Sequence, residues 1–395
     1  MLTAREAAGR LGIKLDTLYA YVSRGRLRSV SLAGRRERRY RAEDVEALRD
    51  PRAGERPPPG GDGAALMPVI GSSICLIDNG RLYYRGKDAI ILAETATLED
   101  IAILLWREDI GSDRADAYQP GPSEAQNAGL IERCQTRLAS LADVDLPALD
   151  LTRRGVARTG SRILHELAAC IASVPPSSRP VHEQLAAAWQ LDEDQADILR
   201  RALVLIADHE LNASTFVARC VASTGATPYA VISAALSALS GRLHGGASAR
   251  AEALLAEIAH RGEAMTVMAG RLARGEELAG FGHFLYPAGD PRALAILDAS
   301  ARLLPQRRHL IETAASAGRR LTGKHPNVDF ALAAAASGLG LPPGAALALF
   351  IIGRTVGWIA HAIEQYESGI LIRPRARYIG PPPDKTPFGL TAASE

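Results

Sequence analysis

From about residue 129 onward the chain is an alanine- and leucine-rich text cut by glycine or proline at Pro147, Val174-Pro175-Pro176, Gly225 to Pro228, Gly241 to Gly246, Gly280 to Pro291, Gly323 to Pro326 and Gly338 to Gly344. Alanine and leucine are among the strongest helix formers, whereas proline and glycine interrupt helices and open turns. The pieces between cuts have helix length, so the pattern predicts a mainly α fold of many helices joined by tight loops. No fixed-period repeat underlies it. Aromatic residues make up only 5% of the sequence, and 47% is apolar over 395 residues, enough to bury a large core and to hold more than one domain.

Two long uncharged stretches, Cys220 to Gly241 and Phe330 to Gly353, need a decision. A membrane span requires about 20 mostly apolar residues without interruption. The first contains Pro228 and several Ser/Thr; the second is broken by Gly338, Gly340 and Pro342-Pro343. Both are expected to be buried helices of a soluble core rather than spans. Cys75, Cys134, Cys170 and Cys220 form no C-x-x-C pair, which argues against a zinc site or a disulfide framework and suits a reducing compartment. No basic-then-apolar signal segment opens the sequence, so a cytoplasmic protein is expected.

The net charge of +2 hides an asymmetry. Residues 1–56 carry 14 Lys/Arg against 8 Asp/Glu, while the remainder has an acidic excess. A polyanion is the natural partner of the front end alone. Thr3 and Glu6 have capping-box spacing, followed by Ala7, Ala8 and Leu11 on one face. Asp16 is placed to cap a second helix over 17–23. Val30 to Leu32 and Arg39 to Arg41 read as a basic hairpin, and 42–48 as a third helix. These features, in TAREAAGRLGI, TLYAYVSRGRL and RRYRAEDV, resemble the winged helix-turn-helix of the MerR/excisionase type. The resemblance implies a DNA-binding domain over 1–50, with Thr17, Tyr19, Tyr21 and Arg24 near bases and Arg35, Arg36 and Arg38 of the wing on phosphates of double-stranded DNA. A solvated basic face or a protein-contact module is the plainer alternative. Residues 51–64, with PPPGGDG inside, form a linker.

Further on, SICLIDNGRLYY at 73–84 predicts a hairpin turning at Asn79-Gly80, and Thr97 with Asp100 predicts a capped helix. Residues 111–128 read as a loop.

The cuts in the helical text hold the chemistry. ADHELNASTF at 207–216, LHGGAS at 243–248, FGHFLYPAGDPRA at 281–293, PNVDF at 326–330 and GRTVGW at 353–358 supply three histidines, the Asp329 carboxylate and two arginines, most beside turns where side chains can converge. That set can hold a small dicarboxylate and take a carbon-bound proton beside it. Singly, each residue has an ordinary structural explanation: a core histidine, a helix-capping aspartate, a surface arginine. Their joint occurrence reverses it.

With SICLIDNGRLYYRG, RTVGWIAHAIEQ and IRPRARYIG added, these segments resemble, in order, the motifs of the citrate synthase family from about Ile74 to Gly380. The resemblance implies a two-domain helical fold, with a large domain from 65–245 and 341–395 and a small one from 246–340 closing over it. It also implies condensation of acetyl-CoA with oxaloacetate, without metal and without a tightly bound cofactor, coenzyme A being a co-substrate. Asp329 matches the catalytic base, His244 the donor to the enolate oxygen and His283 the group polarising the ketone. His209, Arg292 and Arg354 match the substrate binders, and Arg373 an arginine reaching the site of a second subunit in a homodimer. Lys324 stands where a coenzyme phosphate could lie. His361 is left structural or dimer-facing.

Some positions depart from the family pattern. Phe284-Leu285-Tyr286-Pro287 replaces an R-V-Y-K run and loses two cations; Ser248 stands where asparagine is common, Arg242 where a small residue or proline is usual, and Ala331-Leu332-Ala333 where Tyr-Ser-Gly often follows. None removes a proton-transfer group. A 2-methylcitrate synthase using propionyl-CoA, and a transcription regulator with an inactive synthase body, remain alternatives.

Overall fold

The computed structural model describes residues 2–11, 13, 15–23, 27, 29–31, 38–40, 45, 70–109, 128–376 and 378–383. The chain divides into two compact units, Met1–Ile70 and Gly71–Glu395.

The first unit starts with helix α1 (Ala4–Leu11) and helix α2 (Leu15–Ser23), followed by antiparallel strands β1 (Ser29–Ser31) and β2 (Arg38–Tyr40). The Thr3 hydroxyl accepts from the Glu6 amide, and the Thr3 amide donates to the Glu6 carboxylate at 2.7 Å, closing the capping box. Leu2 pairs with Tyr40, extending the hairpin by one bridge. Ala7, Ala8, Leu18, Leu27, Tyr40 and Val45 form a small core. Helix α2 begins before Asp16, which therefore lies inside the helix rather than ahead of it; Leu15 packs against the core. The turn of the wing, the linker over 51–64, the loop over 111–127 and all of the third helix except Val45 lie outside the described residues.

The second unit opens with a three-stranded antiparallel sheet, β3 (Cys75–Asp78), β4 (Arg81–Tyr84) and β5 (Lys87–Asp88). Asn79 and Gly80 both take positive φ, as a type I′ hairpin turn requires. Helices follow: α3 (Ala89–Thr95), α4 (Leu98–Trp106), α5 (Leu130–Ala142), α6 (Arg153–Ala172), α7 (Val181–Ala188), α8 (Glu193–Leu205), α9 (Ala213–Ala222), α10 (Pro228–Leu239), α11 (Gly246–Arg261), α12 (Ala264–Ala273), α13 (Pro291–Leu303), α14 (Pro305–Thr322), α15 (Val328–Gly338) and α16 (Ala345–Ser368). Thr97 caps α4 through a capping box with Asp100.

Helix α16 is the axis of this unit. It packs against α4, α6, α8, α9, α10, α11 and α15 and is buried along nearly its whole length. It is the one helix among the described residues long and apolar enough to cross a membrane, and 94% of its apolar window is covered by the protein itself. Its apolarity is that of a core helix, each buried Leu, Ile or Phe contributing about 1.5–3 kcal/mol. Trp106 and Trp358 are fully buried, and the Trp106 indole N–H donates to the Val356 carbonyl on α16.

Gly353 and Gly357 lie one turn apart on the face of α16 that meets the end of α8 and the loop beyond it. A Cβ at Gly353 would stand 2.5 Å from the Ile206 side chain, and one at Gly357 would stand 2.3 Å from the Ala207 carbonyl oxygen. Only glycine lets the helix approach so closely. That approach seats Arg354, between the two glycines, beside the segment carrying Asp208 and His209.

Candidate active site

Loops at helix ends deliver the side chains. The segments 280–283 and 325–327 run antiparallel and are laced by two backbone hydrogen bonds, Gly282 N to His325 O at 2.7 Å and Asn327 N to Gly280 O at 2.8 Å, which together make the Phe281–Pro326 bridge. The Asn327 side-chain amide nitrogen also donates to the Gly282 carbonyl. Gly280 and Gly282 have φ of 90° and 83°, and a Cβ on either would strike Phe330 or Lys324. The lacing places His283 next to the start of α15, where Asn327 is the N-cap and Asp329 lies in the first turn.

Asp290 completes the frame. It caps α13, holds the Arg292 guanidinium through two bonds at 3.0 and 2.8 Å, and accepts the Val328 amide of α15. Arg292 is 2% exposed. The sequence reading missed Asp290, although DPRA places it two residues before Arg292.

His283 is clamped on several sides. Its ring stacks on Phe284, meets His209 edge-on at 5.1 Å and lies beside Tyr286. The Leu285 amide donates to His283 Nδ1 at 3.2 Å. A backbone N–H can only donate, so the neutral ring carries its proton on Nε2. Burial, then the Arg292 charge, press its pKa down to about 4. The imidazole is neutral at pH 7. His209 Nε2 lies 3.1 Å from the Tyr286 hydroxyl, and burial followed by Arg292, Arg354 and His283 holds its pKa well below the ordinary value.

His244 follows α10 and precedes α11. Its Nε2 lies 2.8 Å from the Ser214 hydroxyl, which also receives the Trp358 indole N–H at 3.3 Å. Its ring meets Phe350 edge-on, and Arg354 lies over the Phe350 ring at 4.8 Å. Burial, then Arg354, lower the His244 pKa to about 4. Ser214 was not singled out from sequence; DHELNASTF contains it, but only the fold shows it against His244.

Arg354 is 1% exposed, and its Nε donates to the Ile206 carbonyl at 2.9 Å. Its Nη1 is buried without a hydrogen-bond partner, and no carboxylate forms an ion pair with it among the described residues. The charge of buried Asp208 acts on it from a distance, and burial still lowers its pKa; a buried guanidinium nitrogen without a hydrogen-bond partner is costly and offers a place for an anion. Asp329 is partly exposed; its Oδ1 accepts the Ser248 hydroxyl at 2.6 Å, and burial raises its pKa above the usual carboxylate value.

His209, His283 and Arg292 thus form one contact cluster, into which Arg354 projects its field. His244 joins through Phe350 and Arg354, and Asp329 through the lacing, Ser248 and the charge of Arg292. Lys324 is exposed, its side chain lying against Gly282, one residue before His283. Arg373 is exposed on the segment beyond α16 and does not enter this cluster within the chain. His361 is fully buried, not surface-facing: Asp208 pairs with its Nε2 at 3.2 Å, and Arg219 lies against its Nδ1 at the same distance. Among the described residues no group of three His, Cys, Asp or Glu side chains could hold a metal ion.

The pattern of the family "Citrate synthase, C-terminal domain" matches residues 63–375. The chain belongs to the citrate synthase family. A helix-turn-helix domain pattern matches residues 1–52. A Mycobacterium tuberculosis relative bearing a citrate synthase name is 35% identical over 78% of this chain and 88% of its own length. Citrate synthase 2 of Bacillus subtilis is 30% identical over 80% and 94%, and 2-methylcitrate synthase of Shewanella oneidensis is 29% identical over 78% and 91%. Among solved structures, citrate synthase of Thermotoga maritima superposes with a TM-score of 0.66 at 28% identity, covering 82% of this chain and 97% of that one. The Thermoplasma acidophilum citrate synthase, solved as a ternary complex with carboxymethyl coenzyme A and oxaloacetate, gives 0.66 at 27%, covering 81% and 96%. Citrate synthases need no tightly bound cofactor, and the mainly α, citrate synthase-like fold expected from sequence is the fold found.

Of the residues expected at DNA, Thr17 is half-buried on α2 and Tyr19 is 50% exposed there. Tyr21 lies on α2 and Arg38 on β2, their side chains outside the described residues, as are Arg24, Arg35 and Arg36 altogether.

Proposed function

We propose that the chain condenses acetyl-CoA with oxaloacetate to give citrate and free coenzyme A. The buried Arg354 guanidinium, its Nη1 without a hydrogen-bond partner and set beside neutral histidines, is the observation that carries this reading: it is a place for an anion next to groups that donate hydrogen bonds. Arg292 and Arg354 bind the two carboxylates of oxaloacetate with His209 as a further contact, and His283 Nε2–H donates to its ketone oxygen. The Asp329 carboxylate removes a methyl proton of the thioester. His244, its Nε2 held against the Ser214 hydroxyl, stabilises the enolate oxygen. The enolate carbon attacks the ketone, and water then cleaves the thioester. The lost cations at Phe284 and Pro287 leave Lys324 to meet a coenzyme phosphate. Closure of 246–340 over the remainder excludes water during carbon–carbon bond formation. Arg373 completes the site of a second copy in a homodimer.

Thiol release from acetyl-CoA and propionyl-CoA, each with saturating oxaloacetate, tests the reading. Acetyl-CoA is expected to give the higher kcat/KM; preference for propionyl-CoA makes the protein a 2-methylcitrate synthase, as the Shewanella oneidensis relative is named. No release with either identifies a sensor. Asp329→Asn is expected to lower kcat by about 10²–10⁴-fold with little change in oxaloacetate affinity. For 1–50, binding to double-stranded DNA is expected to weaken with salt at a log–log slope of about −0.9 per neutralised phosphate. A salt-independent interaction, or none, leaves a protein-contact module.

A further inference from the structure

We propose that Ser248 positions the base: its hydroxyl pins one oxygen of the Asp329 carboxylate and so assigns the other, Oδ2, to take the proton. This rests on the reading of Asp329 as the general base.

The path to this contact starts at the turn before α11. A Cβ at Gly245 would stand 2.4 Å from the Leu239 carbonyl oxygen, so only glycine lets the chain turn this tightly off α10. Helix α11 starts at Gly246, which puts Ser248 in its first turn, facing α15 across a close helix–helix contact. Serine near a helix start commonly bonds its own backbone. Here it reaches another helix instead. Ser248 is 1% exposed, its Oγ lies 2.6 Å from Asp329 Oδ1, and among the described residues its hydroxyl has no other hydrogen-bond partner.

The direction of this bond is forced. A carboxylate only accepts, so the single hydroxyl proton goes to Oδ1 and favours the charged form. It also opposes rotation of the carboxylate. The Asp329 amide is already engaged by the Asn327 side chain, and no protein donor meets Oδ2 among the described residues. The charges facing Asp329 are Arg250 from α11, and Asp290 with Arg292 from the start of α13. Both arginines favour ionisation; burial, the largest influence, and Asp290 oppose it. Ser248 is the neutral donor that keeps a desolvated, strengthened base ionised and aimed.

The test is kcat against pH for wild type, Ser248→Ala, Ser248→Thr and Asp329→Asn, with oxaloacetate affinity measured alongside. Removing the donor destabilises the charged carboxylate, so Ser248→Ala is expected to move the acid limb up by about one pH unit, the worth of one hydrogen bond to a charge. Oxaloacetate affinity is expected to stay put, and Ser248→Thr to restore the wild-type limb. Should Ser248→Ala fail to fold, Ser248→Cys keeps the shape with a much weaker donor. An inactive Asp329→Asn with an unmoved acid limb in the alanine or cysteine variant overturns the inference alone. An active Asp329→Asn overturns the base assignment and this inference with it.

Discussion

Near neutral pH an ordinary imidazole exchanges its proton readily, its reference pKa being about 6.5. Burial and the fields of Arg292 and Arg354 postpone that event for His244 and His283 to about pH 4. The unfolded chain takes these protons up near pH 6.5 and the folded chain only near 4, so between those values the unfolded state binds more protons. Stability contributed by these residues is therefore lost as pH falls from about 6.5 towards 4. The melting temperature is expected to drop across that window, and a His244→Gln, His283→Gln double variant to show a shallower drop; equal slopes contradict the assignment. The site's histidines, its two arginines and Asp329 were legible in the sequence because motif text names them. Ser214, Tyr286, Asp290 and Asp208 were not. Ser214, Tyr286 and Asp208 work through partners that only folding supplies, and a serine or tyrosine among many has no local signature of its neighbour; Asp290 stands beside Arg292 in sequence, but its bond to the Val328 amide is made only by folding.

At the scale of elements, glycine and proline marked the ends of helices, and those ends are where the site is built. What the text did not disclose is why GRTVGW needs both of its glycines. Their reason is the 203–208 segment, which presses on α16 from far away in sequence. Gly357→Ala must displace the Ala207 carbonyl and the Asp208 carboxylate, 2.3 and 2.6 Å from the added carbon. Overpacking of this kind costs about 1–3 kcal/mol. Because His209 follows directly, kcat/KM for oxaloacetate is expected to fall along with the melting temperature. Gly71→Ala, with nothing within 4 Å of its added carbon, is the control and is expected to change neither. Two local readings needed correction or addition. Aspartate's preference for caps places Asp16 ahead of the helix, yet the helix already includes Leu15, which packs against the core. Strand β5, two residues long, is too short to show a period.

For the whole molecule, the exposed position of Arg373 makes a statement about assembly that can be measured. If it serves the site of a second copy, Arg373→Ala and Asp329→Asn are each expected to be inactive alone. Mixed and reassociated, they form heterodimers with one intact site, restoring roughly a quarter of the wild-type rate by random pairing. No recovery after subunit exchange means that each chain works with its own residues. Within one chain, the lacing of 280–283 to 325–327 has a kinetic meaning. The group proposed to ready the electrophile and the group proposed to make the nucleophile ride on a common strip of backbone. A motion of that strip carries both, so under the proposed mechanism the two half-reactions are armed and disarmed in one stroke, and a newborn carbanion is not stranded without its target.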